Sequence, residues 1–275
     1  MQQITKNVFA QAEWRGANTS IVVTSEGVVL IDVPPDAETA RKWAAKAREK
    51  GPIRYVINTE SHHDHWITNS LFEGVVVAHQ AARDAMAIMD HDFIRGRTSF
   101  IYMEPLDFPD SVPLKLPDIT FTEHMTIRLG GHTFQLVHTP GHTLGQIAVY
   151  VPEEKVLFPG DTVLNGVRTP FHDAVPDDRW LDSIKLIEDL DVRFIVTGHG
   201  EIPVDKEMIK TQKAVVQAYL KTVKEGKAKG TIVPSEIHRS FDPFYERQPR
   251  GVHPGGVVLA PIMESKKTGK HGELQ

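Results

Sequence analysis

The amino-acid sequence predicts an α/β sandwich, and three observations carry that prediction. Short β-rich runs alternate with helical stretches over the first third of the chain. Between residues 119 and 163 strand follows strand, separated only by turns. Two amphipathic helical stretches, 177–190 and 206–224, then flank one further short strand.

Each element has a local warrant. Residues 18–33 read as two β-rich runs around a turn at Ser25-Glu26-Gly27. Pro34-Pro35-Asp36 stops the second run, and residues 37–50, rich in Ala, Lys and Arg, follow as a helix closed by Gly51. Residues 53–58 and 75–78 are apolar runs of buried-strand length, and a helical stretch over about 80–89 follows the second. Residues 90–118 carry Pro105, Pro109, Pro113 and Pro117 and read as a long irregular excursion, either a surface insertion or a cover for a site. Turns at Leu129-Gly130-Gly131, Thr139-Pro140-Gly141 and Pro152-Glu153-Glu154 separate the strands of 119–163. Asp177 or Asp178 is the expected N-cap of the helix carrying Trp180, Leu181, Ile184 and Ile187. Residues 194–196 form a strand, 206–224 a long helix, and the last ten residues a tail.

Composition excludes several function classes. The chain has 275 residues, no cysteine and a formal charge of −5. Without cysteine there is no disulfide framework, no thiol nucleophile and no thiolate ligand for zinc or an iron–sulfur cluster. Any metal must be held by nitrogen and oxygen, for which 14 histidines and 36 acidic residues are available. No basic stripe suggests nucleic acid as a partner. No run approaches the roughly 18 apolar residues of a membrane span. Met1 to Arg15 lacks the apolar core of a signal peptide, so a cytoplasmic location is expected.

The histidines fall where strands end. Asn58-Thr59-Glu60-Ser61-His62-His63-Asp64-His65-Trp66 directly follows an apolar strand and holds five residues able to bind a metal. A loop can aim all of them at one point, whereas a helix would spread them around its circumference. His142, Asp161 and His199 share this context, each after a glycine at the end of a strand. Any one of them alone reads more simply as a cap or a satisfied polar group. Four such positions in one chain point to a common site.

This set resembles the metallo-β-lactamase superfamily, whose signature runs His-x-His-x-Asp-His, then Pro-Gly-His-Thr, Gly-Asp and Gly-His-Gly. The match spans roughly residues 7–203 and is nearest the glyoxalase II-like branch. The resemblance implies a four-layer αββα sandwich with its site along one edge of two sheets. It divides the chain into a catalytic domain, 1–203, and a C-terminal helix and extended tail, 204–275, packed on the same domain. It assigns Glu60, His62 and His142 to one metal position, Asp64, His65 and His199 to a second, and Asp161 to the bridge between them. Glu60 departs from the family pattern, standing where the first histidine is expected. A carboxylate is a competent zinc ligand but a harder one. The implied cofactor is one or two Zn2+ ions; ligation by Glu60 would favour Mn2+ or Fe2+ instead, whereas Glu60 turned away or acting as a base would leave only Asp64, His65 and His199 to hold a metal firmly. His63 falls at a variable position and is not an expected ligand.

A metal of this kind lowers the pKa of bound water to near 7 and so supplies hydroxide without a serine or cysteine. Asp64 fits a ligand that also orients that hydroxide and accepts its proton. Asp32, Thr59 and Thr143 are candidates to support the ligands. Trp66, which opens an expected helix after the motif, and Arg168 and His172 are weaker candidates for contact with a small-molecule substrate. Lys221, Lys224, Lys227 and Lys229 read as a solvated helix end, with an anionic substrate tail as the alternative. The leading expectation is hydrolysis of a small ester, thioester, lactone or lactam. Hydrolytic dehalogenation of an activated chloroaromatic, of the chlorothalonil kind, is the first alternative. A mono-iron persulfide dioxygenase and a non-catalytic metal-binding module rank lower. No nucleic-acid or membrane partner is expected, and the oligomeric state, a homodimer included, stays open.

Overall fold

A computed structural model describes residues 1–102, 106–167, 169–171 and 173–228. In the first half of the chain lie β1 (Gln2–Gln3), β2 (Val8–Gln11), β3 (Thr19–Thr24), β4 (Gly27–Ile31), α1 (Ala37–Lys50), β5 (Ile53–Ile57), β6 (Val75–His79), α2 (Gln80–Met86), α3 (His91–Tyr102), β7 (Ile119–Phe121), β8 (His124–Leu129) and β9 (His132–His138). β10 (Ile147–Val151), β11 (Val156–Phe158), α4 (Arg179–Glu188), β12 (Phe194–Ile195) and α5 (Glu207–Ala228) complete it. Strands β1 to β7 form one sheet in chain order, and the second sheet runs β12-β11-β10-β9-β8.

Side-chain alternation along the strands builds the layers. Val22, Val29, Ile57 and Val77 of the first sheet meet Phe134, Leu136, Val149 and Phe158 of the second in a buried core between the sheets. Ile21, Val28, Leu30 and Val56 point the other way, against Ala40, Trp43, Ala44 and Ala47 of α1. On the far side, Ala148, Tyr150 and Leu157 pack against Trp180, Ile184 and Ile187 of α4 and Val216 and Leu220 of α5. The result is helix, sheet, sheet, helix: the predicted four-layer sandwich. No helix among the described residues is long and apolar enough to cross a membrane.

α1 starts and stops where its sequence directs. Asp36 caps it by accepting the Thr39 amide at 3.0 Å, and Gly51 returns its amide to the Arg48 carbonyl at the other end. Two expectations need correction. Residues 90–118 are not irregular throughout, because α3 occupies 91–102. It is anchored by Ile94, fully buried among Trp66, Met86 and Phe108, and by His91, whose Nε2–H donates to the Val112 carbonyl at 2.9 Å. No helix follows the histidine segment either; two single 3-10 turns, His63–His65 and Asn69–Leu71, take its place.

Topology sets the functional edge. β4, β5 and β6 are mutually parallel. β9 and β11 are both antiparallel to β10, and β12 is parallel to β11, so β9, β11 and β12 share one direction. The chain segments leaving β4, β5, β9, β11 and β12 carry Asp32, Glu60, His142, Asp161 and His199 respectively.

Candidate metal centre

The structure gathers two groups of side chains whose donor atoms lie within 4.8 Å of one another: Glu60, His62, His142 and Asp161, and Asp64, His65 and His199. They adjoin through Asp161. Its Oδ2 lies 3.5 Å from His142 Nε2 and 3.4 Å from His199 Nε2, and its Oδ1 lies 3.7 Å from His65 Nε2. Glu60 Oε1 is 3.6 Å from both His65 Nε2 and His142 Nε2, and Asp64 Oδ2 is 3.3 Å from His199 Nε2. Donors about 2.0–2.2 Å from a tetrahedral metal are about 3.4 Å apart. The observed separations match the edges of such a polyhedron.

Outer partners fix which imidazole nitrogen faces inward. Asp32 Oδ2 accepts from His65 Nδ1–H at 3.0 Å and from the Thr59 hydroxyl at 2.7 Å, while its Oδ1 accepts the Thr59 amide at 2.7 Å. His65 Nε2 is thereby turned to the cluster with no hydrogen-bond partner, as are Asp161 Oδ1 and Glu60 Oε1. The Pro170 carbonyl accepts His142 Nδ1–H at 3.1 Å, and Asp173 Oδ2 accepts His62 Nε2–H at 2.9 Å. His142 Nε2 and His62 Nδ1 then face each other at 3.0 Å. With both outward nitrogens used as donors, two inward lone pairs at that distance repel unless a cation, a proton or a metal ion, sits against them.

The electrostatics carry the same message. Burial opposes the charge on Glu60, yet His62, His142 and His65 hold it below the usual carboxylate range. Asp64 is likewise held well below it against burial, by the His199 hydrogen bond and the His65 charge. Asp161 goes the other way, raised to about 6 by burial and by Glu60 and Asp64 nearby. Burial disfavours charge on the imidazoles, but Glu60 and Asp173 raise His62 to about 10, and Asp161 and Asp64 raise His199 to about 8. His65 is raised well above its ordinary value, against burial, by Asp32 and Glu60. Buried carboxylates are costly without cations, and here protons on imidazoles fill that place. Divalent metals displace protons from such ligand sets. The donor chemistry fits a divalent cation.

Close backbone approach completes the site. A Cβ on Gly198 would collide with Asp161 Oδ1. Asp32 sits at φ +53°, in the left-handed region that residues other than glycine adopt rarely, asparagine and aspartate most readily among them. That strain, of order 1–3 kcal/mol, persists because three hydrogen bonds fix its carboxylate.

Placement of the other predicted residues varies. Asp32 and Thr59 support His65 as expected. Trp66 is fully buried in the α2 core and donates its indole N–H to the Ser61 carbonyl at 2.9 Å, so it presents no face to a substrate. Arg168 and His172 lie outside the described residues. Lys224 pairs with Asp178 at 2.9 Å, and Lys229 lies outside the described residues. Sequence reasoning missed Asp173, although it stands beside the segment singled out for Arg168 and His172. It also missed Asn18, whose side-chain amide donates to the Thr197 carbonyl at 2.9 Å and the Gly200 carbonyl at 3.0 Å and so ties down the loop of His199.

Comparison with known proteins follows the same line. The profile of the metallo-beta-lactamase superfamily matches residues 12–199. A beta-lactamase-like protein 2 homolog from Caenorhabditis elegans is 25% identical over 73% of this chain and 61% of its own length. The chain also spans only 60% of the corresponding Drosophila melanogaster protein. Metallo-beta-lactamase type 2 from Bacteroides fragilis is 24% identical over 75% of this chain and 77% of its own. A 2,4-dinitroanisole O-demethylase subunit alpha from a Nocardioides strain is 26% identical over 63% of this chain and 49% of its own. Among solved structures, a metallo-beta-lactamase from Pontibacter korlensis superposes with a TM-score of 0.61 at 20% identity, covering 78% of this chain and 97% of that one. With the profile spanning more than half of the chain and reaching from just after β2 to His199, the chain belongs to the metallo-beta-lactamase superfamily.

Proposed function

We propose that the chain is a metal-dependent hydrolase of a small ester, thioester, lactone or lactam. Glu60, His62 and His142 would hold one ion and Asp64, His65 and His199 a second, with the Asp161 carboxylate within reach of both groups. The observation that carries this reading is the convergence of seven buried or half-buried donors from the two sheets, three of them with inward atoms that have no other partner. A divalent metal, when bound, lowers the pKa of water and polarises a carbonyl oxygen.

The chain's own residues do the rest. Asp32 accepts His65 Nδ1–H and so holds Nε2 inward, Pro170 does the same for His142, and Asp173, accepting His62 Nε2–H, turns His62 Nδ1 inward. Such outer partners fix ligand tautomer and direction. Asp64, held ionised, orients the attacking water and is the acceptor toward which its proton points. Glu60 adds a hard anionic ligand, which shifts its position toward manganese or iron relative to zinc. Protein reconstituted separately with each of the three metals, then analysed for metal content and turnover of an ester, thioester, lactone and lactam panel, tests the reading. Turnover requiring metal supports it; full metal loading with no turnover of any class contradicts it.

A second reading has one observation in its favour. The Nocardioides relative is named for an activated aryl ether, 2,4-dinitroanisole. Water delivered at the same site to an activated aromatic carbon would expel alkoxide or chloride. Release of 2,4-dinitrophenolate from 2,4-dinitroanisole, or of chloride from chlorothalonil, by the metal-loaded protein distinguishes this reading from carbonyl hydrolysis.

A further inference from the structure

Beside the metal cluster opens a cleft of about 340 Å3. One wall is polar and continuous with the cluster, formed by His62, His63 and Asp173. The other is apolar. Ala81, Ala85 and Ile88 follow at helical spacing along α2 and its exit, and Phe93 of α3 and Leu144 close the wall. Ile88, Phe93 and Leu144 are 84%, 51% and 52% exposed, three of the six large hydrophobic side chains so exposed among the described residues. Scattered exposed apolar side chains need no explanation, but a cluster facing a cleft marks a binding surface.

The wall is held rigidly. Gly145 lies so close to Ala82 of α2 that a Cβ there would collide with the helix backbone. His138 Nε2–H donates to the Leu144 carbonyl at 2.8 Å, fixing the loop that also carries His142. Among the described lining residues there is no lysine or arginine, and the only carboxylate, Asp173, is already engaged by His62 Nε2–H at 2.9 Å.

We infer that this cleft binds the non-reacting part of the substrate, and that this part is apolar, a short acyl chain or an aryl ring laid on Ile88, Phe93 and Leu144. The inference rests on the hydrolase reading for the word substrate, while the apolar site itself stands apart from it. The position is suited to the role, since His62 borders both the cleft and the cluster.

Two measurements on the metal-loaded full chain separate the claims. The first is binding of the uncharged fluorophore N-phenyl-1-naphthylamine to the wild type and to the double variant Ile88→Ser, Leu144→Ser. The substituted side chains are exposed, so the fold is retained, which circular dichroism checks. Binding weakened about tenfold is expected, and displacement by hexanamide or by benzamide tells chain from ring. Equal affinity in the double variant overturns the proposal, whatever the esters show. The second is the series p-nitrophenyl acetate, butyrate and hexanoate. With each buried methylene worth about fourfold, kcat/KM should climb at least tenfold from acetate to hexanoate in the wild type and flatten in the double variant. Hydrolysis with a flat wild-type series overturns the substrate role of the cleft and leaves the hydrolase reading standing. No hydrolysis of any ester counts against the hydrolase reading, and the dye alone then decides the cleft.

Discussion

Glu60 and Asp32 show how single residues shape the site. Glu60 was legible as a departure from the signature because its neighbours Asp64 and His65 fix the register of the motif. Its consequence is a third carboxylate among the seven donors, beside Asp64 and Asp161. Glu60→His should retain or raise zinc content, since imidazole at that position relieves crowding between carboxylates, and elemental analysis of purified protein checks it. Asp32 was legible as a candidate to support the ligands, but not as the partner of one particular imidazole. The structure makes it the acceptor that sets the His65 tautomer. Asp32→Asn keeps a side chain tolerant of positive φ but removes the charge, so metal affinity should fall about 10–100-fold with the fold intact. Competition with a chelator of known affinity measures this, and unchanged affinity would remove Asp32 from the account.

The helices divide into those written locally and those that depend on packing. α1 was readable from end to end because Asp36 and Gly51 sit at its ends in the sequence. α3 was not. Its segment contains Gly96 and lies among prolines, and its stability rests on Ile94 entering a core assembled from residues 37–112. Contacts of that range leave no periodic trace. α4 was legible as amphipathic, but its link to the site was not. Trp180 is fully buried, 5.9 Å centroid to centroid from His142, and packs where Gly141 leaves no room for a Cβ. Trp180→Ala removes this support, and a loss of about 3–5 kcal/mol is expected from urea unfolding. A loss below 1 kcal/mol would mean that α4 does not brace the His142 loop.

At the scale of the molecule, the strand-end histidines were readable because a sandwich of this topology brings five strand ends to one edge. Asp173 and the apolar cleft were not, since His62 and Asp173 are 111 residues apart and the cleft's walls come from two helices and a loop. A second polar cluster lies elsewhere in the fold. Glu154, in the turn between β10 and β11, accepts from Asn7 at 2.7 Å, from His132 Nε2–H at 2.9 Å and from the Thr5 hydroxyl, joining the N-terminal strands to the second sheet. Burial would raise the Glu154 pKa, but the Thr5, His132 and Asn7 hydrogen bonds outweigh it and leave it below the ordinary 4.5. A depressed carboxylate contributes stability above its unfolded value, and that stability is lost as pH falls through the folded value. Wild type should therefore exceed Glu154→Gln by about 1–3 kcal/mol at neutral pH. The gap should close below about pH 4.5, as followed by thermal unfolding; a gap independent of pH would contradict the ionised assignment.

The central claim is that one edge of the sandwich holds metal through ligands from both sheets. Elemental analysis of wild type beside His199→Ala tests it most directly. His199 belongs with Asp64 and His65, so its loss should empty that position and leave the ion among Glu60, His62 and His142 in place. The expected result is about one metal equivalent fewer per chain in His199→Ala than in wild type. Equal metal content in the two proteins would contradict the account.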